Sequence, residues 1–180
     1  ATGRTANENF ARELLQLFSI GLYNTWPSGA LKLDSAGAPI PTYDQPVIEE
    51  MARVFTRWTY YSTTCTFNCN AFYLAPMELS QANHDIGQKT NADGVVLAPG
   101  QPGEIDLGNT MNTIMAHPSV GPFLSRQLIQ HLVTSNPSKG YVARVTKVFD
   151  NDGTGVKGNL RAVVKAILLD VEARRDPDGD

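Results

Sequence analysis

The sequence is short of several things at once, and each shortage removes a class of explanation. Its 180 residues include two cysteines and three histidines. Two cysteines alone do not build a structural zinc site, which takes four ligands. Cys65 and Cys69 are separated by Thr66-Phe67-Asn68, which is not the CxxC spacing of thiol redox enzymes. In an oxidising compartment they close a small disulfide loop. In a reducing one they are two free thiols, and the residues leave both readings open. There is no excess of positive charge: the formal net charge is −3 and the basic residues are scattered, apart from Arg174-Arg175. That excludes the electrostatic footprint of a nucleic-acid or anionic-membrane partner. No apolar run approaches the roughly 18–20 residues that span a bilayer, since even Leu160 to Leu169 is broken by Arg161 and Lys165. Also missing are a phosphate-binding P-loop, G-x-G-x-x-G, H-E-x-x-H and G-x-S-x-G.

What is present is mostly helical pattern. The stretch from Asn7 to Gly21 reads as a helix, with Thr5 and Glu8 placed as a capping box and Glu8–Arg12 as an i,i+4 ion pair. Phe10, Leu14, Leu17 and Phe18 are read as its apolar face, and Gly21 as its end. Between residues 22 and 43 the prolines, the Trp26-Pro27-Ser28-Gly29 turn and the alternation Leu31-Lys32-Leu33 predict a small β-hairpin. Asp44 and Pro46 open a second helix carrying Val47, Ile48, Met51, Val54 and Phe55. Residues 62 to 103 are loop-rich, with Phe72-Tyr73-Leu74 and Gly94-Val95-Val96-Leu97 as short strand candidates. Four helical segments follow. Leu107, Met111, Ile114 and Met115 mark the first, and Ser119, Ser138 and Asn159 are the expected caps of the others. The pattern predicts a mainly α protein of about five packed helices with long irregular loops and a small β-hairpin. It is read as one helical domain over residues 1–176, with 177–180 a polar tail.

Five of these segments, in order along the chain, resemble the motifs of the bacterial domain-of-unknown-function 1800 family. They are Asn7-Glu8-Asn9-Phe10-Ala11-Arg12-Glu13-Leu14, the helix from Tyr43 to Trp58, His84-Asp85-Ile86-Gly87-Gln88-Lys89-Thr90, the His117-Pro118 helix to Leu132, and Gly158-Asn159-Leu160-Arg161-Ala162-Val163. Two positions depart from the family pattern. Arg57 stands where a Gly usually precedes the Trp, which puts the shape of that helix end in question, and Asn159 replaces an Asp. Members are usually longer, so the resemblance implies that this chain is an internal part of a larger protein. They often carry export signals, which implies an extracytoplasmic (periplasmic or secreted) location and fits a Cys65–Cys69 disulfide. The family brings no agreed catalytic residues, cofactor or substrate.

The 84–90 loop holds the strongest candidates for chemistry. His84 beside Asp85, with Lys89 following, supplies the residue types of an acid–base pair or of a divalent-metal site with His84 and Asp85 as ligands. Such a site needs partners from elsewhere, and Glu8, Glu13 and His117 are candidates. The competing reading is that His84 and Asp85 hold the loop by hydrogen bonds. Asp150-Asn151-Asp152-Gly153-Thr154-Gly155 imitates the start of an EF-hand loop, but Arg161 occupies the twelfth position, where a bidentate Glu is required. It reads better as a turn leading to the Asn159 cap. Two functions follow. One is an exported interaction or scaffold module with a protein or polysaccharide partner, or the rest of its own chain. The other is a metal-assisted hydrolase of cell-surface or polysaccharide material, with part of its site in other segments.

Overall fold

Asp44, Ser119, Ser138 and Asn159, predicted from local sequence as caps, stand where α-helices begin. The computed structural model describes residues 6–60 and 75–175. Cys65, Cys69, Thr5, Phe72-Tyr73-Leu74 and the 177–180 tail lie outside the described residues. Six α-helices are present among the described residues: α1 Glu8–Gln16, α2 Gln45–Val54, α3 Gly103–Ala116, α4 Val120–Leu132, α5 Lys139–Asp150 and α6 Leu160–Leu169. The strands are two-residue pieces, β1 Trp58–Thr59, β2 Glu78–Leu79, β3 Lys89–Thr90 and β4 Val96–Leu97. They pair antiparallel as β1–β2 and β3–β4. The protein is therefore mainly α. Asp44 caps α2 by accepting from the Val47 amide, Ser138 caps α5 through Tyr141, and Asn159 caps α6 through Ala162. Among the described residues no helix is long and apolar enough to cross a membrane.

The chain forms two compact units, one of Ala1–Arg12 with Asp44–Thr113, the other of Glu13–Tyr43 with Ile114–Asp180. In the first, α2 packs on β3 and buries Ile48, Met51, Ala52 and Val54. The Phe10 ring meets Phe55 edge-on at 4.8 Å. The last residues of α2 lead to Arg57, which has a left-handed backbone (φ 65°). This is the position where family members usually carry Gly, and the conformation supplies the physical reason, since only Gly adopts it without a Cβ clash.

In the second unit α4, α5 and α6 pack pairwise around Ile129, Tyr141, Val145, Phe149, Val163 and Ile167, all buried. The predicted hairpin of residues 22–43 is a three-part ribbon with an eight-residue period. Isolated bridges join Tyr23 to Pro41, Thr25 to Leu31 and Leu33 to Pro39. Three backbone hydrogen bonds close a ring: Asn24 N–H to Ile40 O (2.8 Å), Ile40 N–H to Lys32 O (3.0 Å) and Lys32 N–H to Asn24 O (2.8 Å). Gly29 and Gly37, eight residues apart, take the positive φ of the two turns, at 73° and 81°. Pro39 and Pro41 have no N–H to give, so the third segment donates through Ile40, to Lys32 O, and Thr42, to Leu22 O at 3.0 Å.

One helix face and one helix cap are corrected. Along α1 the buried residues are Ala11 and Leu15, while Phe10 and Phe18 are 61% and 67% exposed. The helix stops at Gln16, where the Leu15 carbonyl accepts from both Ile20 and Gly21 amides. Leu17 and Phe18 thus lie beyond the 3.6-residue period that was to align them with Phe10. Ser119, expected to cap α4, makes no capping bond. Its buried hydroxyl instead accepts from the Thr25 amide at 3.2 Å, and His117 Nδ1 accepts the Ser119 N–H at 3.1 Å.

Candidate functional site

The 84–90 loop belongs to the first unit, and its polar side chains divide between a dry interior and a wet cleft. His84 and Lys89 turn inward. Their common partner is Asp106, in the first turn of α3, which the sequence reading did not single out. Lys89 Nζ lies 2.6 Å from Asp106 Oδ2 and 3.1 Å from the Gly87 carbonyl. His84 Nε2 is 3.1 Å from the same Oδ2. Lys89 is 1% exposed and Asp106 fully buried, so bulk solvent does not screen these contacts. Asp106 Oδ1 is buried with no hydrogen-bond partner.

The other ring nitrogen settles the His84 tautomer. Nδ1 is 3.1 Å from both the Thr56 carbonyl and the Thr56 hydroxyl. That hydroxyl donates its single proton to the Arg53 carbonyl at 2.7 Å and accepts the Asp85 N–H at 3.0 Å. A carbonyl only accepts, so Nδ1 carries a hydrogen directed at Thr56 O. In the neutral ring Nε2 therefore presents its lone pair to Asp106.

Asp85 turns outward to Arg53 of α2. The guanidinium grips it with both ends, Nε to Oδ2 at 2.9 Å and Nη2 to Oδ1 at 3.1 Å, and Nη1 holds both oxygens of Glu50 at 2.8 Å. Glu50 Oε2 also accepts the Thr90 amide at 3.2 Å, and Asp85 Oδ1 the Gly87 amide at 2.9 Å. The Arg53 contact is the main reason the Asp85 carboxyl is held down, from 3.8 to about 2, against the opposing effect of burial. The same bond raises Arg53. Gly87 leaves room for this clamp: a Cβ there would meet the end of the Arg53 guanidinium and displace it. A cleft of about 520 Å³ opens beside this clamp, lined by Ala6, Glu8, Glu49, Glu50, Arg53, Thr56 and Asp85. Glu8 is engaged by Arg12 and Gln45, and Glu49 by Gln45.

His84 and Asp85 are thus adjacent in sequence but face different partners. Among the described residues no three His, Cys, Asp or Glu side chains stand where they could hold a metal ion. The second buried pair on α3, Thr110 donating to Asn91 at 3.0 Å, lies one helical turn on from Asp106. An i,i+4 polar pair, Asp106 and Thr110, is the signal that could have revealed this buried polar face. The predicted apolar face of α3 conceals it: Ile114 is buried, but Met115 is 40% exposed.

Along residues 1–180 the chain matches the family described as Protein of unknown function (DUF1800). The chain belongs to the DUF1800 family. No curated protein and no solved structure matches it. In this DUF1800 chain the HD-x-G-x-KT motif has a concrete geometry: the His and Lys close on Asp106, the Asp closes on Arg53, and the Gly admits that guanidinium. The Asp150–Gly155 segment is also closed on itself. Asp152 Oδ1 accepts from the Thr154 amide and hydroxyl and from the Val156 amide, and Oδ2 from Asn159. Those bonds, led by that from Asn159, hold its carboxyl well below the usual carboxylate range. The side chain is fully committed to shaping the turn before α6.

Proposed function

We propose that this DUF1800 chain is an interaction or scaffold module that acts outside the cytoplasm, on a protein or polysaccharide partner. The observation that carries this reading is the commitment of the 84–90 loop to internal pairs. Both ring nitrogens of His84 and the Lys89 ammonium are engaged inside the first unit, and both Asp85 oxygens are held by Arg53. A general base or metal ligand that acts on an outside substrate needs a lone pair directed at it, and these groups are turned to partners within the fold. The export signals of many similar proteins support the extracytoplasmic setting.

The test is elemental analysis of the purified chain after incubation with zinc, manganese and iron, alongside His84→Ala. The scaffold reading expects no stoichiometric metal, an unchanged melting temperature on adding a chelator, and a lower melting temperature for His84→Ala. Stoichiometric metal that the variant loses would establish the hydrolase reading in its place.

A further inference from the structure

The geometry points to a covalent side-chain bond: Lys89 and Asp106 form an intramolecular amide (isopeptide) cross-link, with His84 as its proton carrier. An amine and a carboxyl in contact at 2.6 Å, both out of water, are the two reactants of a condensation already in place. In water such a pair stays ionised, and the hydration of both ions holds the condensation back. Burial removes that hydration, so the neutral amide gains on the ion pair it replaces. Asp106 Oδ1, without a hydrogen-bond partner, is the oxygen that remains as the amide carbonyl. A bare amide oxygen is less costly to bury than a bare carboxylate oxygen.

The protons have a route. One passes from the Lys89 ammonium to Asp106 Oδ2, giving a neutral amine and a carboxylic acid, and the new O–H points at the His84 Nε2 lone pair 3.1 Å away. The amine nitrogen then forms a bond to Asp106 Cγ. A second proton leaves that nitrogen and reaches Oδ2 through His84, the Cγ–Oδ2 bond breaks, and Oδ2 departs as water. Of the three ammonium hydrogens, two leave in the water and one stays on the amide. Nothing is oxidised or reduced. His84 is held for this task by its Nδ1–H bond to the Thr56 carbonyl, which keeps Nε2 free to accept.

The experiment is mass spectrometry of the purified full chain under denaturing, reducing conditions, followed by digestion with trypsin and a protease that cuts after Glu. The intact chain is expected to be one water lighter than its sequence. Trypsin is expected not to cut after Lys89. Segments 79–104, carrying Lys89, and 105–126, carrying Asp106, are expected to travel as one species joined through their side chains. Lys89→Arg is expected to restore the full sequence mass. A wild-type chain of full sequence mass, with the two segments recovered apart, overturns the proposal. So does a lost water confined to Asp93-Gly94, Asp152-Gly153 or Asp178-Gly179, where a succinimide loses the same mass but leaves the segments separate. Because the cross-linked peptide is sought in the wild-type chain, the outcome does not depend on whether a variant folds.

Discussion

Replacing Asp85 with Asn removes one charge and turns the oxygen that accepts from Arg53 Nε into an NH2 group. The amide keeps an oxygen for the Gly87 N–H, and its volume matches the carboxylate. The loss is the charge-assisted, two-ended bond to Arg53, with contacts of 2.9 and 3.1 Å. The Asp85 carboxyl titrates at about 2 instead of 3.8. At roughly 1.36 kcal/mol per pH unit that displacement corresponds to at most about 2.4 kcal/mol of stability. Its side chain is 36% exposed, so solvent screening brings the expected contribution to about 1 kcal/mol. The sign follows from the direction: the folded-state value lies below the unfolded one. The contribution is full above about pH 4, shrinks as the pH falls toward 2, and is gone below both values. Urea unfolding of the wild type and Asp85→Asn between pH 6 and pH 2 measures it. The variant is expected to be about 1 kcal/mol less stable at pH 6, with the two curves converging toward pH 2. Asp152, Asp170 and Glu172, whose carboxyls are also held down, titrate in both proteins and drop out of the difference. A gap that persists undiminished at pH 2 would show that the loss is one of geometry and refute the charge argument.

Two further substitutions test other parts of the fold. Tyr141→Phe removes the buried hydroxyl that donates to the Ile167 carbonyl at 2.7 Å, joining α5 to α6, and is expected to cost about 1–2 kcal/mol in chemical unfolding. An unchanged midpoint would mean that the carbonyl finds another donor at no cost. Arg57→Gly relieves a left-handed backbone at φ 65° and is expected to stabilise the chain by about 0.5–1 kcal/mol, after allowing for the greater freedom of Gly in the unfolded state. A lower melting temperature would show instead that the Arg57 side chain contributes more than its backbone conformation costs.

The legible features share one property: their physics closes within a few residues. Asp44, Ser138 and Asn159 cap their helices through the amide three positions on, so the residue type and its place before an apolar run were sufficient. The Asp150–Gly155 turn and the strand around Val96-Leu97 were readable for the same reason. Ser119 looks the same locally, yet its hydroxyl serves Thr25, 94 positions earlier. The α1 face was misread because a backbone stop at Leu15, not the spacing of large apolar residues, decides which side chains align.

The candidate site divides along the same line. That the chain is mainly α, that it belongs to the DUF1800 family, and that residues 84–90 carry a motif of polar side chains were all contained in residue order, because helix periodicity and motif spacing are one-dimensional. Which partner each of those polar residues takes was not. Asp106 arrives from α3, 17 positions beyond Lys89, and Arg53 from α2, 32 positions before Asp85. Neighbouring side chains on an extended backbone point to opposite sides, so His84 and Asp85, consecutive in sequence, came to lie in different networks, one dry and one wet. Only the packing of α2, the loop and α3 could set which residue is buried against which, and burial is what turns a carboxylate and an amine from a solvated pair into potential reactants.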